Sequence, residues 1–295
     1  MHLGNVFSAL LSWLSVKSKG GEWLLRIEDI DPGRSRQAYA DQLMDDLQWL
    51  GLTWDGMPVY QSQRSDIYEH YFSLLQELGL TYPCYCTRAD LLATQAPHES
   101  DGRVVYPGTC RPKSSMSPMS LIGPISPIEK SSPAATRLIV PSCNIRFTDG
   151  HYGPQQVNLA TEVGDFIIRR KDGAWAYQLA VVIDDALMGI NEVVRGRDLL
   201  LSSPQQIYLA ELLGWSAPQF IHLPLLCNGA GQRLSKRDQS LDLASLRQRH
   251  NAPALIGMLA HWAGLLPHPE PVSPSDLLST FSWEKVPLHD LTATF

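Results

Sequence analysis

The chain has 295 residues, 44% of them hydrophobic, and a formal net charge of −6, so it can form one large or two modest domains with a substantial core. The acidic balance excludes a nonspecific basic nucleic-acid coat, so a nucleic-acid partner is expected to meet a local basic face. No apolar run approaches the roughly 20 residues of a membrane span and the first helix has no secretory cleavage site, so we predict a cytoplasmic protein without a membrane partner.

The first part of the chain predicts helices that alternate with a short strand. Apolar residues between Leu3 and Leu14 recur at helical spacing, and Gly20-Gly21 ends that helix. The run 23–27 predicts a buried strand. Because such alternation is typical of parallel sheets, we predict an α/β fold. The next two helices are predicted to have these apolar faces: Tyr39, Leu43, Leu47 and Leu50, then Ile67, Tyr71, Leu74, Leu75 and Leu78.

The later part of the chain has a less regular pattern. Residues 112–135 are rich in Pro and Ser and have no helical or strand period, so we predict a flexible insertion. Strand-like runs follow at 137–147 and 165–169, and the stretch 177–195 predicts a helix, a turn and a strand. After about residue 213 the pattern predicts mostly helix.

Two separated motifs suit the binding of ATP. His2 and Gly4 stand where the first helix begins, and a helix N-terminus offers free N–H groups and partial positive charge to a phosphate. His2 can donate to a phosphate oxygen in the transition state, and Gly4 permits close approach to the backbone. Lys236, in Arg233-Leu234-Ser235-Lys236-Arg237 after a glycine hinge, can close over a triphosphate. The alternatives are a frayed terminus and a solvated basic loop.

Two further groups of residues suit a small ligand. Glu28-Asp29-Ile30-Asp31 ends the first predicted strand, where ligands bind in open α/β sheets, so its acids suit an ammonium group. The alternative is a charged turn in which Asp31 caps the next helix. Tyr177 can place a phenol against a ligand, and Arg195 can bind a carboxylate through two hydrogen bonds. The alternatives are that the aromatics are core and that Asp184-Asp185 lies at the surface.

The cysteines indicate a metal site. There are five, an odd number, and three of them cluster, which favours metal in a reducing cytoplasm over a disulfide framework. Zinc takes four N, S or O ligands in a tetrahedron. The cluster supplies Cys84, Cys86 and Cys110, and the fourth ligand is left open between Tyr106 and His98. The alternative is three unrelated buried thiols.

In combination, these motifs resemble the catalytic core of the glutamyl-tRNA synthetase family, whose class I fold is a Rossmann-like parallel sheet. The resemblance extends over about residues 2–240. The chain is most similar to the short glutamyl-Q tRNA(Asp) synthetases, because about sixty residues follow Lys236, too few for an anticodon-binding region. Further matching motifs are Leu25 to Pro32, Trp54-Asp55-Gly56, Gln61 to Arg64, Arg170 to Asp185, and Val194-Arg195-Gly196.

The resemblance implies a reaction and a division of roles. L-glutamate is activated by ATP, with Mg²⁺ and without tRNA, and is then transferred to the queuosine base at the wobble position of tRNA(Asp). The residues implied to bind ATP and act in catalysis are His2, Gly4 and Lys236. Those implied to line the glutamate pocket are Glu28, Tyr177 and Arg195. Those implied to hold one structural zinc are Cys84, Cys86, Tyr106 and Cys110.

The resemblance also predicts an organisation. Residues 1–81 and 136–212 form the two halves of the catalytic domain, 82–135 a zinc-binding insertion, and 213–295 a mostly helical region that contacts the tRNA stem and carries the Lys236 loop. We expect a monomer. The family begins with a strand and an Arg-Phe-Ala-Pro-Ser-Pro-Ser-Gly-like turn before its His-x-Gly motif. Here Met1 directly precedes His2, so the first strand is missing, and we expect a start codon assigned too late rather than a true truncation.

Three alternatives remain for the function. The first is that the chain is a fragment of an ordinary glutamyl-tRNA synthetase that acylates tRNA(Glu). The second is a noncatalytic paralogue that binds tRNA and lost its active site with the first strand. The third alternative is a nucleotidylyltransferase outside translation that shares the ATP-binding motifs.

Overall fold

The computed structural model describes residues 1–31, 33, 35–87, 90, 105–112, 133–229, 231, 234 and 242–293. Lys236, His98 and most of the segment 112–135 lie outside the described residues.

The first helix and the strand after it form as predicted, and that strand pairs with a second one that the sequence pattern did not indicate. Helix α1 (Leu3–Lys17) buries its apolar stripe, and Gly20 follows it with a φ of +71°, a conformation that glycine adopts without strain. Strand β1 (Leu24–Ile27) pairs in parallel with β2 (Asp55–Tyr60), and helix α2 (Gln37–Trp49) connects them. This unit places the ends of β1 and β2 side by side.

Helix α3 (Ser65–Glu77) buries a different face from the one that the sequence predicts. Its buried stripe is Tyr68, Phe72 and Leu75, whereas Leu78 is 58% exposed. Tyr68 and Phe72 both pack edge-on against Trp175, with ring centroids 6.0 and 5.6 Å apart. These edge-to-face contacts hold the Tyr68 and Phe72 side of the helix against the core.

Antiparallel strands occupy the middle of the chain. Strands β3 (Thr81–Cys84), β4 (Ala135–Leu138) and β7 (Phe166–Arg169) form one sheet. Strands β5 (Asn144–Asp149) and β6 (Gly153–Asn158) form a hairpin. The run 137–147, predicted as one strand, is therefore divided, because Pro141 lies within it and cannot donate to a ladder.

A second parallel unit follows. Helix α4 (Tyr177–Leu187) leads to β8 (Glu192–Gly196), helix α5 (Ser203–Leu212) and β9 (Gln219–Leu223). Strands β8 and β9 are parallel, and Arg195 is directly opposite His222 in their register. The two parallel pairs confirm the α/β class.

The region after residue 213 is less helical than predicted. Besides β9 it contains the parallel strands β10 (Leu226–Cys227) and β11 (Leu291–Thr292). Its helices are α6 (Leu243–Arg247) and α7 (Ala252–Trp262). Pro is frequent between residues 264 and 287, which explains the irregular chain there.

Among the described residues, apolar side chains form two large clusters. One joins α1 to α7 and to the irregular chain that follows α7, and the other joins α3, α4, α5 and β7. The first and last segments of the chain therefore share one core. The four-part division of the chain stays a prediction, as does the missing first strand. No described helix is long and apolar enough to cross a bilayer.

We expect Gly257→Ala to destabilise the protein by roughly 1–3 kcal/mol. A Cβ at Gly257, inside α7, would lie 1.8 Å from the carbonyl oxygen of Glu270, so the backbone must shift. The matched control is Gly229→Ala, where the described residues place no atom within 4 Å of the new methyl group. Urea unfolding measures both variants. Equal midpoints for both would contradict the predicted close packing.

Candidate functional site

A cavity of about 200 Å³ lies where α1 begins. His2 and Gly4 form one wall, Arg195 and Gly196 at the end of β8 form another, and Leu234 closes it near the β9–β10 connection. We call this the His2 cavity. A Cβ on Gly4 would lie 3.1 Å from the His2 ring, so the glycine makes room for the imidazole. The N-terminus of α1 and the His2 ring thus open onto the same space, an arrangement that suits an anion.

Arg195 is a buried cation whose guanidinium is held in place by several hydrogen bonds. It is only 9% exposed, and five groups accept from its guanidinium. Among the described residues, all of these acceptors are neutral and no carboxylate hydrogen-bonds with it. Burial lowers the pKa of Arg195, although nearby charges partly offset this shift. The acceptors are His222 Nε2 at 3.1 Å, Gln206 Oε1 at 2.8 Å, Ser203 Oγ at 2.8 Å, Tyr177 Oη at 3.4 Å and the Leu199 carbonyl at 3.5 Å.

A buried His–Asp pair holds one side of Arg195. His222 Nδ1 is 2.6 Å from Asp149 Oδ2, and both side chains are fully buried. Because Arg195 Nε donates to His222 Nε2, the imidazole must be neutral with its proton on Nδ1. Burial and the Arg195 charge lower the pKa of His222, against the opposing effect of Asp149. Burial disfavours the Asp149 anion, but hydrogen bonds from His222, Tyr152 and His151 lower its pKa overall.

A second charged group surrounds the end of β1. Arg26 donates to Asp185 Oδ1 at 2.7 Å and approaches Glu28 at 3.5 Å. Desolvation works against the Arg26 cation, but Asp185 and Glu28 raise its pKa overall. Desolvation inside the cleft raises the pKa of Glu28, and Arg26 partly offsets that shift. Glu28 also interacts electrostatically with Tyr177 and Arg195.

The buried Asp184 carboxylate supports this charged group. Its carboxylate is completely buried and accepts from Gln61 at 2.8 Å, Arg64 at 2.6 Å and Tyr68 at 2.8 Å. The interpretation of Asp184-Asp185 as a surface feature is therefore wrong. It failed because the cations and donors that neutralise the pair come from distant parts of the chain.

A larger cavity, of about 570 Å³, has Glu28 among the residues that line it. We call it the Tyr39 cavity, since Tyr39 of α2 lines it and is 61% exposed. The sequence pattern placed Tyr39 on a buried face, and that prediction is wrong. The helix begins only at Gln37, so Tyr39 stands in its first turn, beyond the core that covers Leu47 and Leu50.

The three clustered cysteines are close enough to share one metal ion. The sulfurs of Cys84, Cys86 and Cys110 all lie within 4.8 Å of one another. Tetrahedral zinc with bonds of about 2.3 Å requires sulfurs roughly 3.8 Å apart, so the donor set fits. The Tyr106 hydroxyl lies 3.5 Å from Cys84 Sγ and 3.8 Å from Cys86 Sγ. Arg137 donates to Cys84 Sγ at 3.2 Å and covers the Tyr106 ring, which stabilises thiolate charge.

The structure brings most of the predicted residues together. His2, Gly4 and Arg195 share one cavity, and Tyr177 contacts Arg195. Lys236 lies outside the described residues, but Leu234, two positions earlier, lines the His2 cavity. Asp31 does not cap α2, which begins after Arg36; its carboxylate binds Arg170 at 2.9 Å and accepts from Gly33.

Several supporting residues were not singled out by sequence reasoning. Gln206, Ser203, His222 and Asp149 surround Arg195, and all are buried. Of these four, only His222 has a sequence signal, because it is a polar residue between Ile221 and Leu223 in an apolar run. Such a residue inside a buried strand must have a partner, but the sequence does not identify that partner.

The comparisons with known proteins agree with this geometry. Residues 1–258 match the family of class I tRNA synthetases (E and Q), catalytic domain. A glutamyl-Q tRNA(Asp) synthetase of Nitratidesulfovibrio vulgaris is 43% identical over 99% of this chain and 91% of its own length. A protein of the same name from Symbiobacterium thermophilum is also 43% identical, over 97% of this chain and 90% of its own length.

Solved structures extend the likeness to three dimensions. The crystal structure of a glutamate tRNA ligase from Elizabethkingia meningosepticum, in complex with its amino acid, superimposes with a TM-score of 0.79 at 28% identity. A glutamate-tRNA synthetase from Elizabethkingia anophelis gives a TM-score of 0.80 at 28% identity. Both alignments include 100% of this chain, which spans 64% and 66% of the length of those two proteins.

We expect acid to destabilise the protein through His222. Because burial lowers the pKa of His222 in the folded state, the unfolded chain binds more protons below its ordinary pKa of about 6.5. Stability is therefore present above that pH and is lost as pH falls, by at most about 1.4 kcal/mol per pH unit for this one proton. Urea midpoints between pH 8 and 5.5 measure the slope. In His222→Gln the slope should be smaller, and an unchanged slope would contradict the assignment.

Proposed function

The chain belongs to the family of class I tRNA synthetases for E and Q, and on that premise we propose that it activates L-glutamate with ATP without tRNA and transfers it to queuosine at the wobble position of tRNA(Asp). Relatives named glutamyl-Q tRNA(Asp) synthetase support this specificity, because they match nearly the whole chain and are of nearly the same length. The protein is thus a glutamate-activating ligase with glutamate, ATP and tRNA(Asp) as substrates, acting as a monomer in the cytoplasm.

One observation carries the glutamate assignment. Arg195 is a buried cation whose hydrogen-bond partners among the described residues are all neutral. A buried cation that hydrogen-bonds with no carboxylate is costly, so the site favours an incoming anion. Tyr177 Oη, 3.4 Å from Arg195, offers a second donor to the same carboxylate. Together they bind the side-chain carboxylate of glutamate.

Glu28 supplies the opposite charge for the amino end of the substrate. Its side chain is 44% exposed at the cleft, and it interacts with both Arg195 and Tyr177. Desolvation raises its pKa, so a cation that binds beside it is favoured electrostatically. Glutamate held by Arg195 at one end and Glu28 at the other leaves its α-carboxylate free to react.

Activation then joins two substrates held in adjoining spaces. An oxygen of the glutamate α-carboxylate attacks the α-phosphorus of ATP, the bond to the β-phosphate oxygen breaks, and pyrophosphate leaves. His2 and the N-terminus of α1 donate to the phosphate oxygens, and Lys236 neutralises the pyrophosphate. Mg²⁺ is expected to arrive with ATP and to offset phosphate charge. No covalent intermediate with the protein forms, so catalysis consists of positioning and electrostatics.

Cys84, Cys86, Cys110 and Tyr106 hold one structural zinc in this proposal. The ion would tie the end of β3 to the segment 105–110, and it takes no part in the reaction. The zinc segment belongs to the proposed insertion 82–135, and residues 213–295 to the proposed surface for a tRNA stem.

A fragment of an ordinary glutamyl-tRNA synthetase is the second candidate. It is favoured by the likeness to the two longer glutamate tRNA ligases, of which this chain spans about two thirds. The accepting tRNA distinguishes the two functions.

The first test is glutamate-dependent exchange between ATP and pyrophosphate with no tRNA present. We expect exchange, and then transfer of labelled glutamate to tRNA(Asp) that carries queuosine but not to tRNA(Glu). Lys236→Ala should lower the exchange rate by roughly 10²- to 10³-fold while the glutamate KM changes little, because the lysine acts on phosphate charge in the transition state.

Lys171→Ala is the matched control, since Lys171 is an exposed lysine outside both cavities. A Lys236→Ala enzyme that exchanges at the parent rate would refute the role of Lys236. Transfer to tRNA(Glu) alone would favour the second candidate.

For the metal, we expect about one zinc per chain by elemental analysis, and loss of thermal stability when a chelator removes it. Cys86→Ser should lower the zinc content and Tm. Cys143→Ser is the control, because Cys143 lies outside the cluster. Equal zinc content in both variants would show that the three cysteines do not hold the ion.

A further inference from the structure

Among the described residues, no ring contact or side-chain hydrogen bond explains the position of Tyr39. It is a large aromatic side chain, 61% exposed, in the first turn of α2. Ala40, the next residue, and Leu43, one helical turn further on, also line the Tyr39 cavity, so apart from Gln37 the side of α2 that faces it is apolar. An exposed aromatic over a cavity is typical of a binding site rather than of a core.

The ends of β1 and β2 supply a second ring and oriented polar groups to the same cavity. Tyr60, at the end of β2, is half-buried, and its hydroxyl accepts from Gln37 Nε2 at 3.2 Å. Asp29 accepts from the backbone N–H and the hydroxyl of Ser62, at 2.8 and 2.7 Å. These bonds fix the direction of the Asp29 carboxylate, which retains capacity for further donors. Exposed Arg36 stands at the rim.

This combination of groups suits one kind of ligand. Aromatic faces stack on planar bases regardless of sequence, a fixed carboxylate accepts from hydroxyl groups, and an arginine at the rim suits a phosphate of the nucleic-acid backbone. The volume of about 570 Å³ lies within the range of small-molecule pockets. The ligand is therefore a planar nucleobase that carries hydroxyl groups.

The location of the cavity relates it to the reaction. Glu28 lines the Tyr39 cavity but not the His2 cavity, and it interacts electrostatically with Arg195 and Tyr177. Glutamate bound between Arg195 and Glu28 therefore has its α-carbon beside the Tyr39 cavity. The His2 cavity is assigned to ATP, so the second substrate approaches the activated carbonyl from the side of Tyr39.

We propose that the Tyr39 cavity binds the acceptor of the transfer step, with the base between Tyr39 and Tyr60 and its hydroxyl-bearing ring toward Glu28. This inference rests on the proposed function. A hydroxyl oxygen of the queuosine ring forms an ester bond to the glutamyl carbonyl carbon, the bond from that carbon to the phosphate oxygen breaks, and AMP leaves. The hydroxyl proton goes to solvent.

The test compares the two steps in the same variants. Exchange of pyrophosphate without tRNA reports activation, and single-turnover transfer from preformed glutamyl-adenylate to queuosine-containing tRNA(Asp) reports the second step. We expect Tyr39→Ala to lower the ratio of transfer to exchange by roughly 5- to 100-fold, the effect of losing one base stack. Tyr39→Phe keeps the ring and should restore the ratio to within about two-fold. Leu78→Ala, which truncates another exposed apolar side chain, should leave the ratio unchanged.

The outcomes are distinguishable. A parent enzyme without exchange overturns the proposed function itself. If the parent exchanges and transfers but Tyr39→Ala keeps the parent ratio, the proposed function stands and the acceptor site is wrong. If Tyr39→Ala instead impairs transfer to the 3′ end of tRNA(Glu), the cavity binds a terminal adenosine and the assignment to queuosine is overturned. Loss of transfer in both Tyr39→Ala and Tyr39→Phe would show that ring stacking is not the interaction.

Discussion

A single buried guanidinium constrains the architecture around the site. Arg195 on β8 is directly opposite His222 on β9 in a parallel register. Helix α5 contributes Ser203 and Gln206, and the β5–β6 hairpin contributes Asp149 behind His222. A charge out of water is tolerated only when its donors are satisfied. These elements must therefore meet at fixed distances, and a displacement of any one of them leaves an N–H of Arg195 unpaired.

The charges on the two sides of the cleft are balanced in opposite ways. Asp184 is surrounded by Arg64, Gln61 and Tyr68, with Arg26 close by, so its anion is neutralised within the protein. Arg195 has neutral acceptors instead. The site therefore has a positive end that no carboxylate of the described residues hydrogen-bonds. Glu28, with its pKa raised by desolvation, provides an acidic end that a substrate cation stabilises. A zwitterion with a second carboxylate is complementary to this arrangement.

Sequence reasoning succeeded where one periodicity decides the structure. Helix α1, strand β7 and the α4–β8 stretch follow from apolar spacing and terminal glycine signals. It failed where tertiary contacts decide. Helix α3 turned its Tyr68 and Phe72 face inward because Trp175, far along the chain, offers them an aromatic partner. Periodicity alone does not reveal such a partner.

The same reasoning applies to the site. Residues with unusual chemistry at motif positions, such as His2, Arg195 and the clustered cysteines, are recognisable from sequence. Asp149 and His222 are not, because 72 other residues separate them and neither stands in a motif. Tyr39 was misassigned for a related reason: it continues the helical stripe of Leu43 and Leu47, but the stripe extends past the end of the core. A local rule that fails in this way often marks a functional position.

The way Arg195 is held bears on the order of the reaction. All of its described hydrogen-bond partners come from the chain itself, and the imidazole that orients Nε is fixed in one tautomer by Asp149. In the proposed glutamate pocket the arginine is therefore oriented without any external group, and preorganisation of this kind lowers the cost of binding. Activation can then precede arrival of the acceptor. In the proposed assignment, the Tyr39 cavity, which Glu28 lines, gives that acceptor a path separate from the His2 cavity, so glutamate and nucleotide need not leave between the two steps.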